Sequence, residues 1–392
     1  MNYDIGYKHA MDTILGIMHS RSHSHFSKHD VSILDPLYNG IVEGMVYAKK
    51  QFDMNNVSMK VNTGRRIIMP VKTRYCPVEI TEYIQNNIKR QVQYSISIES
   101  RKLIVRFGLF DNKLEFSELE YFFQMIVSWI HTISMYADTS CGRNQVINFY
   151  FTDFKKLFPK SSVSILSPIN CNSGSSTVCS ANNTITIYRY EEWFKVFIHE
   201  SFHSFGLEPK HDCENRLSKY LSTLIPIQPN VRVSEAYVET WARLINVIYS
   251  AIINSKGKEE FYNILRFSLQ IEALFSVYQA VKVLNFMNLD YSSVIDKTSV
   301  TARMLYKENT HIFAYYILTA AFMTNIFGFI RWCTKHNTKW LQFYNSNRTC
   351  KSFERLIKDS LYSDEMQETC NLFKSREWHT QGLRFSIVDS VN

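Results

Sequence analysis

The 392-residue chain is 45% hydrophobic, 14% aromatic and 20% charged, with a formal net charge of +8. This composition excludes a disordered, collagen-like or low-complexity chain, and the length suits one large domain or two to three smaller ones. The eight cysteines include no Cys-x-x-Cys pair, and the first residues lack the pattern of a secretory signal. We therefore predict reduced thiols and a cytoplasmic, non-secreted protein.

Residues 1–78 give the weakest signals and are predicted to form a loop-rich N-terminal extension that is partly basic. Between Lys49 and Arg74, seven basic residues stand against Asp53 alone, so this basic segment (residues 49–74) carries +6 of the net charge. Such a segment can contact nucleic acid or another polyanion, an anionic membrane or an acidic protein. A solvated basic loop is the favoured interpretation, because aromatic residues that would stack on bases are nearly absent.

Residues 79–206 are predicted to alternate helices and strands. Alternating apolar residues predict strands at 93–99, 102–107, 145–151 and 184–188. Helical spacing predicts helices at 79–90, 114–136 and 191–205, and the small residues of 167–183 predict a loop. Residues 207–392 are predicted to be mainly helical, with long helices at 232–253 and 258–285. These patterns predict an α+β fold, with a mixed upper subdomain packed on a helical lower subdomain and a functional cleft between them.

The run 312–330 contains no charged residue and is about long enough to span a bilayer. It also contains polar side chains, among them Tyr315, Tyr316 and Asn325, which suit a helix buried in a protein core better. We therefore predict a core helix over a membrane span, and a membrane partner is disfavoured.

The stretch VFIHESFHSF, residues 196–205, carries the strongest chemical signal in the chain. Residues four apart lie on one face of a helix, so His199 and His203 can bind one Zn²⁺ through two imidazole nitrogens. Glu200 is rotated by one residue and can act as general base on a water molecule. The alternative is a pair of core histidines satisfied by hydrogen bonds, which the rarity of the pattern and its apolar flanks disfavour.

The motif HESFH resembles the HExxH signature of the zincin metallopeptidases. In zincins a helix and strands precede an edge strand that leads into the metal helix, and residues 114–205 follow this order, with TITIY (184–188) in the edge-strand place. The resemblance covers roughly residues 79–250. It implies a zincin-like fold, bound zinc, hydrolysis of protein or peptide substrates, and pairing of TITIY with an extended peptide. The alternative for TITIY is an ordinary edge strand.

The resemblance leaves two routes to a third zinc ligand. In metzincins a histidine follows at a fixed position, but that position is a proline here and His211 lies two residues beyond it. In gluzincins a glutamate of the next helix binds the metal, which implies Glu235, and Glu239 would then hold the free nitrogen of a ligand histidine. The alternative for Glu239 is a solvated helix face. Glu235 is predicted over His211, and the remaining alternatives are Glu208 and Asp212.

Zincins often stabilise the oxyanion with a His, Tyr or Arg of the later helical part, which implies His311, Tyr315 or Tyr316. The favoured alternative for these residues is ordinary core packing. Residues 185–208 are also similar to uncharacterised zincin-like proteins of large DNA viruses, which implies the host cytoplasm or a virion. The predicted function is that of a zinc metalloendopeptidase in which Glu200 is the general base. The alternative is a catalytically silent, virion-associated structural or binding module that contacts polyanions through the basic segment.

Overall fold

The computed structural model describes residues 5–20, 26–71, 73–110, 114–161, 163–227, 231–374 and 380–391. Within these ranges the helices are α1 Ile5–Ser20, α2 Lys28–Ser32, α3 Asp35–Asp53, α4 Val78–Asn87, α5 Phe116–Ser134, α6 Pro168–Cys171, α7 Trp193–Phe205, α8 His211–Leu224, α9 Val233–Ile253, α10 Lys258–Phe286, α11 Tyr291–Ile295, α12 Val300–Leu305, α13 Thr319–Thr324, α14 Ile326–His336, α15 Asn347–Leu361 and α16 Asp364–Phe373. The strands are β1 Ser58–Thr63, β2 Arg90–Ile98, β3 Arg101–Leu109, β4 Asn144–Thr152, β5 Gly174–Ser176 and β6 Asn182–Arg189. A short 3₁₀ turn lies at Gly64–Arg66 and a π-helical segment at Phe313–Leu318.

The six strands form one open sheet in the order β1-β2-β3-β4-β6-β5. Strands β3, β4 and β6 run parallel, and the other neighbouring pairs are antiparallel. The prediction of a mixed α and β fold is confirmed. Helix α5 connects the parallel strands β3 and β4, and its Trp129 indole donates a 2.7 Å hydrogen bond to Ser201 of α7. This bond ties the helix that carries the histidine motif to the core.

The edge-strand prediction for TITIY is wrong. These residues belong to β6, which lies inside the sheet between β4 and β5. The edge strand next to β6 is β5, whereas β1 forms the other edge of the sheet. Strand β5 lies within the predicted loop 167–183 and pairs antiparallel with β6, Gly174 opposite Ile187 and Ser176 opposite Ile185. Its sequence, Gly-Ser-Ser, has no β-branched or aromatic residue. Tertiary pairing alone makes it a strand.

The N-terminal region also differs from the prediction of a loop-rich extension, because it contains helices α1 to α3 and strand β1. Helix α3 packs on α5 through a seam of buried small and aliphatic residues. At Gly44 a Cβ atom would lie 2.5 Å from the carbonyl oxygen of Ser128, so only glycine permits this helix contact. Strand β1 pairs with β2, which places residues 58–63 in the same sheet as the later strands.

The predicted long helices of the second half are confirmed as α9 and α10. Almost every residue of α9 is buried, which makes it the central helix of this half. Most of the apolar run 312–330 is buried. Across the described ranges, no single helix is long and apolar enough to cross a bilayer. Among the described helices, one bent pair, residues 313–324 and α14 with an 88° angle between them, is long and apolar enough.

The prediction of reduced thiols is wrong for four of the eight cysteines. Cys141 is joined to Cys179, and Cys213 is joined to Cys350. The other four cysteines are free and buried. The partners lie 38 and 137 residues apart in the chain, so no local spacing could have indicated the pairs. The cytoplasmic location stays a prediction.

Candidate metal centre

The two histidines of the motif lie on α7, which is buried along its whole length. The helix begins after Glu192, whose φ of 58° turns the chain sharply, and ends at Gly206, whose φ is 66°. A Cβ atom at Gly206 would lie 2.9 Å from the Cβ atom of Cys179. Glycine is therefore required here both by the left-handed φ and by the close approach of Cys179. Helix α7 packs against β5 and β6 on one side and α9 on the other.

Three side chains from α7 and α9 converge on one point. The Nε2 atoms of His199 and His203 lie 3.2 Å apart, and Oε2 of Glu235 lies 3.3 Å from the first and 3.4 Å from the second. All three residues are buried, and Oε2 of Glu235 has no hydrogen-bond partner. This group could hold a metal ion. It consists of the three residues predicted as ligands.

A carboxylate holds the other ring nitrogen of each histidine. His199 Nδ1 lies 2.9 Å from Oε2 of Glu239, and His203 Nδ1 lies 2.8 Å from Oε2 of Glu208. Glu239 therefore occupies the place predicted for it. Glu208 was expected only as an alternative ligand, and instead it contacts the far side of His203. Such partners orient imidazole rings and leave Nε2 free to face a common point.

The carboxylates around the histidines determine the pKa of both rings. Burial would lower the pKa of His199, but the neighbouring carboxylates of Glu235 and Glu239 outweigh this effect and raise it. Burial acts in the same direction on His203, where Glu208 and Glu235 raise the pKa well above its ordinary value. These surroundings favour a positive charge at the point the ligands share, which is the condition for binding a cation.

Glu239 has two further contacts, both with buried cations. Its carboxylate accepts hydrogen bonds of 2.7 and 2.9 Å from Lys195 Nζ and one of 3.0 Å from Arg243 Nε. Burial would raise the pKa of Glu239, but Lys195, His199 and Arg243 hold it well below its ordinary value. Burial lowers the pKa of Lys195 to about 8, although Glu239 opposes the shift. The partner of His199 is thus held as a carboxylate in a fixed position.

The side chain of Glu200 on α7 lies against the edge strand β5. Ser176 Oγ of β5 donates a 2.8 Å hydrogen bond to its Oε2, and a Cβ atom at Gly174 would lie 3.0 Å from its Oε1. Burial raises the pKa of Glu200 above its ordinary value, against the lowering effect of His199 and His203. A buried carboxylate with a raised pKa is suited to accept and return a proton near neutral pH.

An open cavity reaches the three candidate ligands and Glu200. Strand β5 forms one wall, and Tyr75, Arg232, Tyr315 and Phe385 contribute side chains to the others. Tyr315 lies in the π-helical segment, a conformation common at functional sites, with its ring centroid 6.1 Å from that of His199. His311 precedes it by four residues, with its ring centroid 6.2 Å from that of Tyr315, and does not line the cavity.

The alternative ligands His211 and Asp212 lie away from the three converging side chains. His211 begins α8, and its side chain is 87% exposed, beside Asp212 and Asn215. Neither His211 nor Asp212 belongs to the group of potential ligands found in the described ranges.

Among the residues near the centre that the sequence reasoning missed are Lys195, Ser176 and Phe385. Lys195 could have been found, because it lies one helical turn before His199 on the same face of α7. Ser176 and Phe385 have no sequence signal, since β5 and the last described residues approach the site only through tertiary folding. Comparisons of the chain with models of known protein families, with curated proteins and with solved structures found no match.

Proposed function

We propose that the protein is a zinc-dependent peptidase of the zincin type, with His199, His203 and Glu235 as the zinc ligands, as in gluzincins. The spacing of the three ligand atoms, 3.2, 3.3 and 3.4 Å, carries the proposal. A tetrahedral zinc ion with bonds of about 2.0–2.1 Å separates its ligand atoms by about 3.3–3.4 Å. Two imidazole nitrogens and one carboxylate oxygen are also a donor set typical of catalytic zinc.

The number of ligands supports a catalytic role over a structural one. A structural zinc site has four protein ligands, whereas a catalytic site has three and an open position. In the described ranges no fourth His, Cys, Asp or Glu joins the group. Glu200 stands beside it and is hydrogen-bonded to Ser176, not to the ligand atoms. A catalytically silent module has no need of this carboxylate.

Besides the zinc, side chains of the protein perform the other steps of peptide hydrolysis. Bound zinc would supply Lewis-acid chemistry, lowering the pKa of a water molecule and polarising a carbonyl. Glu200 accepts the proton of the attacking water and delivers it to the leaving amine. Tyr315 is the residue proposed to donate a hydrogen bond to the developing oxyanion, because it lines the cavity and His311 does not.

Strand β5 replaces β6 as the proposed contact for an extended substrate. It is the last strand of the sheet, and residues 173–176 line the cavity next to Glu200. An extended peptide can add to such an edge through main-chain hydrogen bonds. The substrate class that follows is a peptide or an extended protein segment. The resemblance to viral zincin-like proteins, and the location that it implies, remain predictions.

The test is cleavage of an unstructured protein such as casein by the wild type, Glu200→Gln and the control Glu354→Gln. Glu354 lies on α15 and pairs with Arg216, away from the cavity. Glu200→Gln should keep its metal and lose at least about 100-fold in rate, the typical contribution of a general base. The control should cleave like the wild type. A metal-loaded wild type that cleaves no peptide, or a fully active Glu200→Gln, would contradict the proposal.

A further inference from the structure

The peptidase proposal does not explain the basic segment, residues 49–74. It comprises the end of α3, strand β1, the 3₁₀ turn and the extended residues that follow. Its described basic side chains are all exposed: Lys49, Lys50, Lys60, Arg65, Arg66 and Arg74. Lys72 lies outside the described residues. Within the described part of the chain, the first five of these form no ion pair, so their charge is available to a partner.

The same segment exposes an unusual number of large aliphatic side chains. They lie between residues 54 and 71: Met54, Met59, Val61, Ile68, Met69 and Val71. Val71 is 79% exposed and Met54 is 57% exposed. Single exposed apolar residues are common on soluble proteins, but a concentration of them in one short stretch marks an interaction surface.

The fold holds these side chains outward and is not a loose loop at this point. The side-chain amide of Gln91 on β2 donates to the carbonyl oxygen of Ile68 at 3.1 Å and accepts from its amide at 3.3 Å. The hydroxyl of Tyr150 on β4 donates to the same carbonyl at 2.8 Å. Ile67 and Pro70 are buried on either side. The backbone is therefore anchored to the sheet while the side chains of 68, 69 and 71 face solvent.

We infer that the basic segment is a binding surface for an anionic lipid bilayer. Lysine and arginine are attracted to acidic headgroups, and exposed aliphatic side chains enter the boundary between headgroups and acyl chains. A surface for single-stranded nucleic acid would offer stacking aromatics. The one aromatic of the segment, Phe52, packs inward on Phe123. A protein interface typically has aromatic anchors as well, and the segment exposes none.

Binding to vesicles of phosphatidylcholine with about 30% phosphatidylserine, measured by co-sedimentation at about 0.1 M salt, tests the inference. The wild type should bind these vesicles and not those of phosphatidylcholine alone. Replacing Lys49, Lys50, Arg65 and Arg66 by glutamine should weaken binding by more than about 100-fold, because each basic residue contributes about fivefold. The matched control replaces four exposed basic residues of α8 and α15 in the same way, Lys219, Lys351, Arg355 and Lys358, and should bind like the wild type.

A second variant separates lipid insertion from attraction between charges. Met54→Ser, Met69→Ser and Val71→Ser together leave the net charge unchanged and should weaken vesicle binding by at least about tenfold. Its control replaces three other exposed aliphatic residues by serine, Val163, Val300 and Met304, and should have no effect.

Three results would overturn the inference. The first is no binding of the wild type to the anionic vesicles. The second is unchanged binding of the triple serine variant, which would mean attraction between charges alone. The third is binding to a DNA duplex or to poly-glutamate as tight as to the vesicles at the same salt concentration. Zinc content should stay at the wild-type level in every variant, so failure here leaves the peptidase proposal intact.

Discussion

Glu239 contacts His199 and two buried cations, so its replacement should affect both metal binding and folding. The side chains of Lys195 and Arg243 are only 2% and 0% exposed, and both use this carboxylate as a partner. Removing one member of a buried charge pair costs about 3–5 kcal/mol, because the remaining charge stays buried. We therefore expect Glu239→Gln to lower the free energy of unfolding of the metal-free protein by about 3–5 kcal/mol. It should also weaken zinc binding by about 10–100-fold, the usual effect of losing a histidine's carboxylate partner.

Glu208→Gln is the matched comparison, because Glu208 performs the same task for His203 without that cluster of buried cations. Its Oε2 lies 2.8 Å from His203 Nδ1. We expect a similar loss of zinc affinity, about 10–100-fold, but a loss of only about 1–3 kcal/mol in the free energy of unfolding.

Two assays separate the effects: urea unfolding of the chelator-treated proteins, and titration of zinc against a competing chelator. The expected pattern is equal losses of zinc affinity and unequal losses of stability. Equal destabilisation by the two substitutions would refute the role given to Lys195 and Arg243. Full zinc affinity in Glu239→Gln would refute the role given to its contact with His199.

Two further predictions concern the stability of the fold. Burial raises the pKa of Glu272 to about 7 from its ordinary 4.5, against the effect of Arg243. The folded state thus keeps a proton that the unfolded state has released, and stability falls as the pH rises from 4.5 to 7. Between pH 4.5 and 8, Glu272→Gln should gain about 3 kcal/mol of unfolding free energy relative to the wild type, and a difference independent of pH would contradict this. Cys141→Ser removes the disulfide to Cys179, which closes a loop of 38 residues. Measured without reductant, this variant should unfold with about 2–4 kcal/mol less free energy than the wild type. Unchanged stability would argue against the disulfide.

The residues of the candidate metal centre could be predicted because their spacing is local. His199 and His203 lie one turn apart on α7, and Glu235 and Glu239 lie one turn apart on α9, so helical geometry alone puts each pair on one face. The resemblance to gluzincins supplied the pairing of the two helices. The contact of Glu208 with the far side of His203 was missed, because the chain reverses after α7 and brings this residue back to that histidine.

The remaining errors concern contacts between segments distant in the chain. The edge strand β5 has three residues of low strand propensity, and only its hydrogen bonds with β6 distinguish it from a loop. The seam of α3 includes Gly40 and Gly44, which look like helix breakers until the close approach of α5 is known. Ser176 contacts Glu200 across 24 residues of sequence, and no spacing rule connects them.

Metal analysis of the purified protein beside His203→Ala and His211→Ala tests the proposed zinc site most directly. His203 contributes one of the three converging ligand atoms, whereas His211 lies exposed at the start of α8. We expect about one zinc per chain in the wild type and in His211→Ala, and little or none in His203→Ala, because the two remaining ligands would hold the ion poorly. Full zinc retention by His203→Ala, or loss of zinc from His211→Ala, would contradict the proposed ligand set.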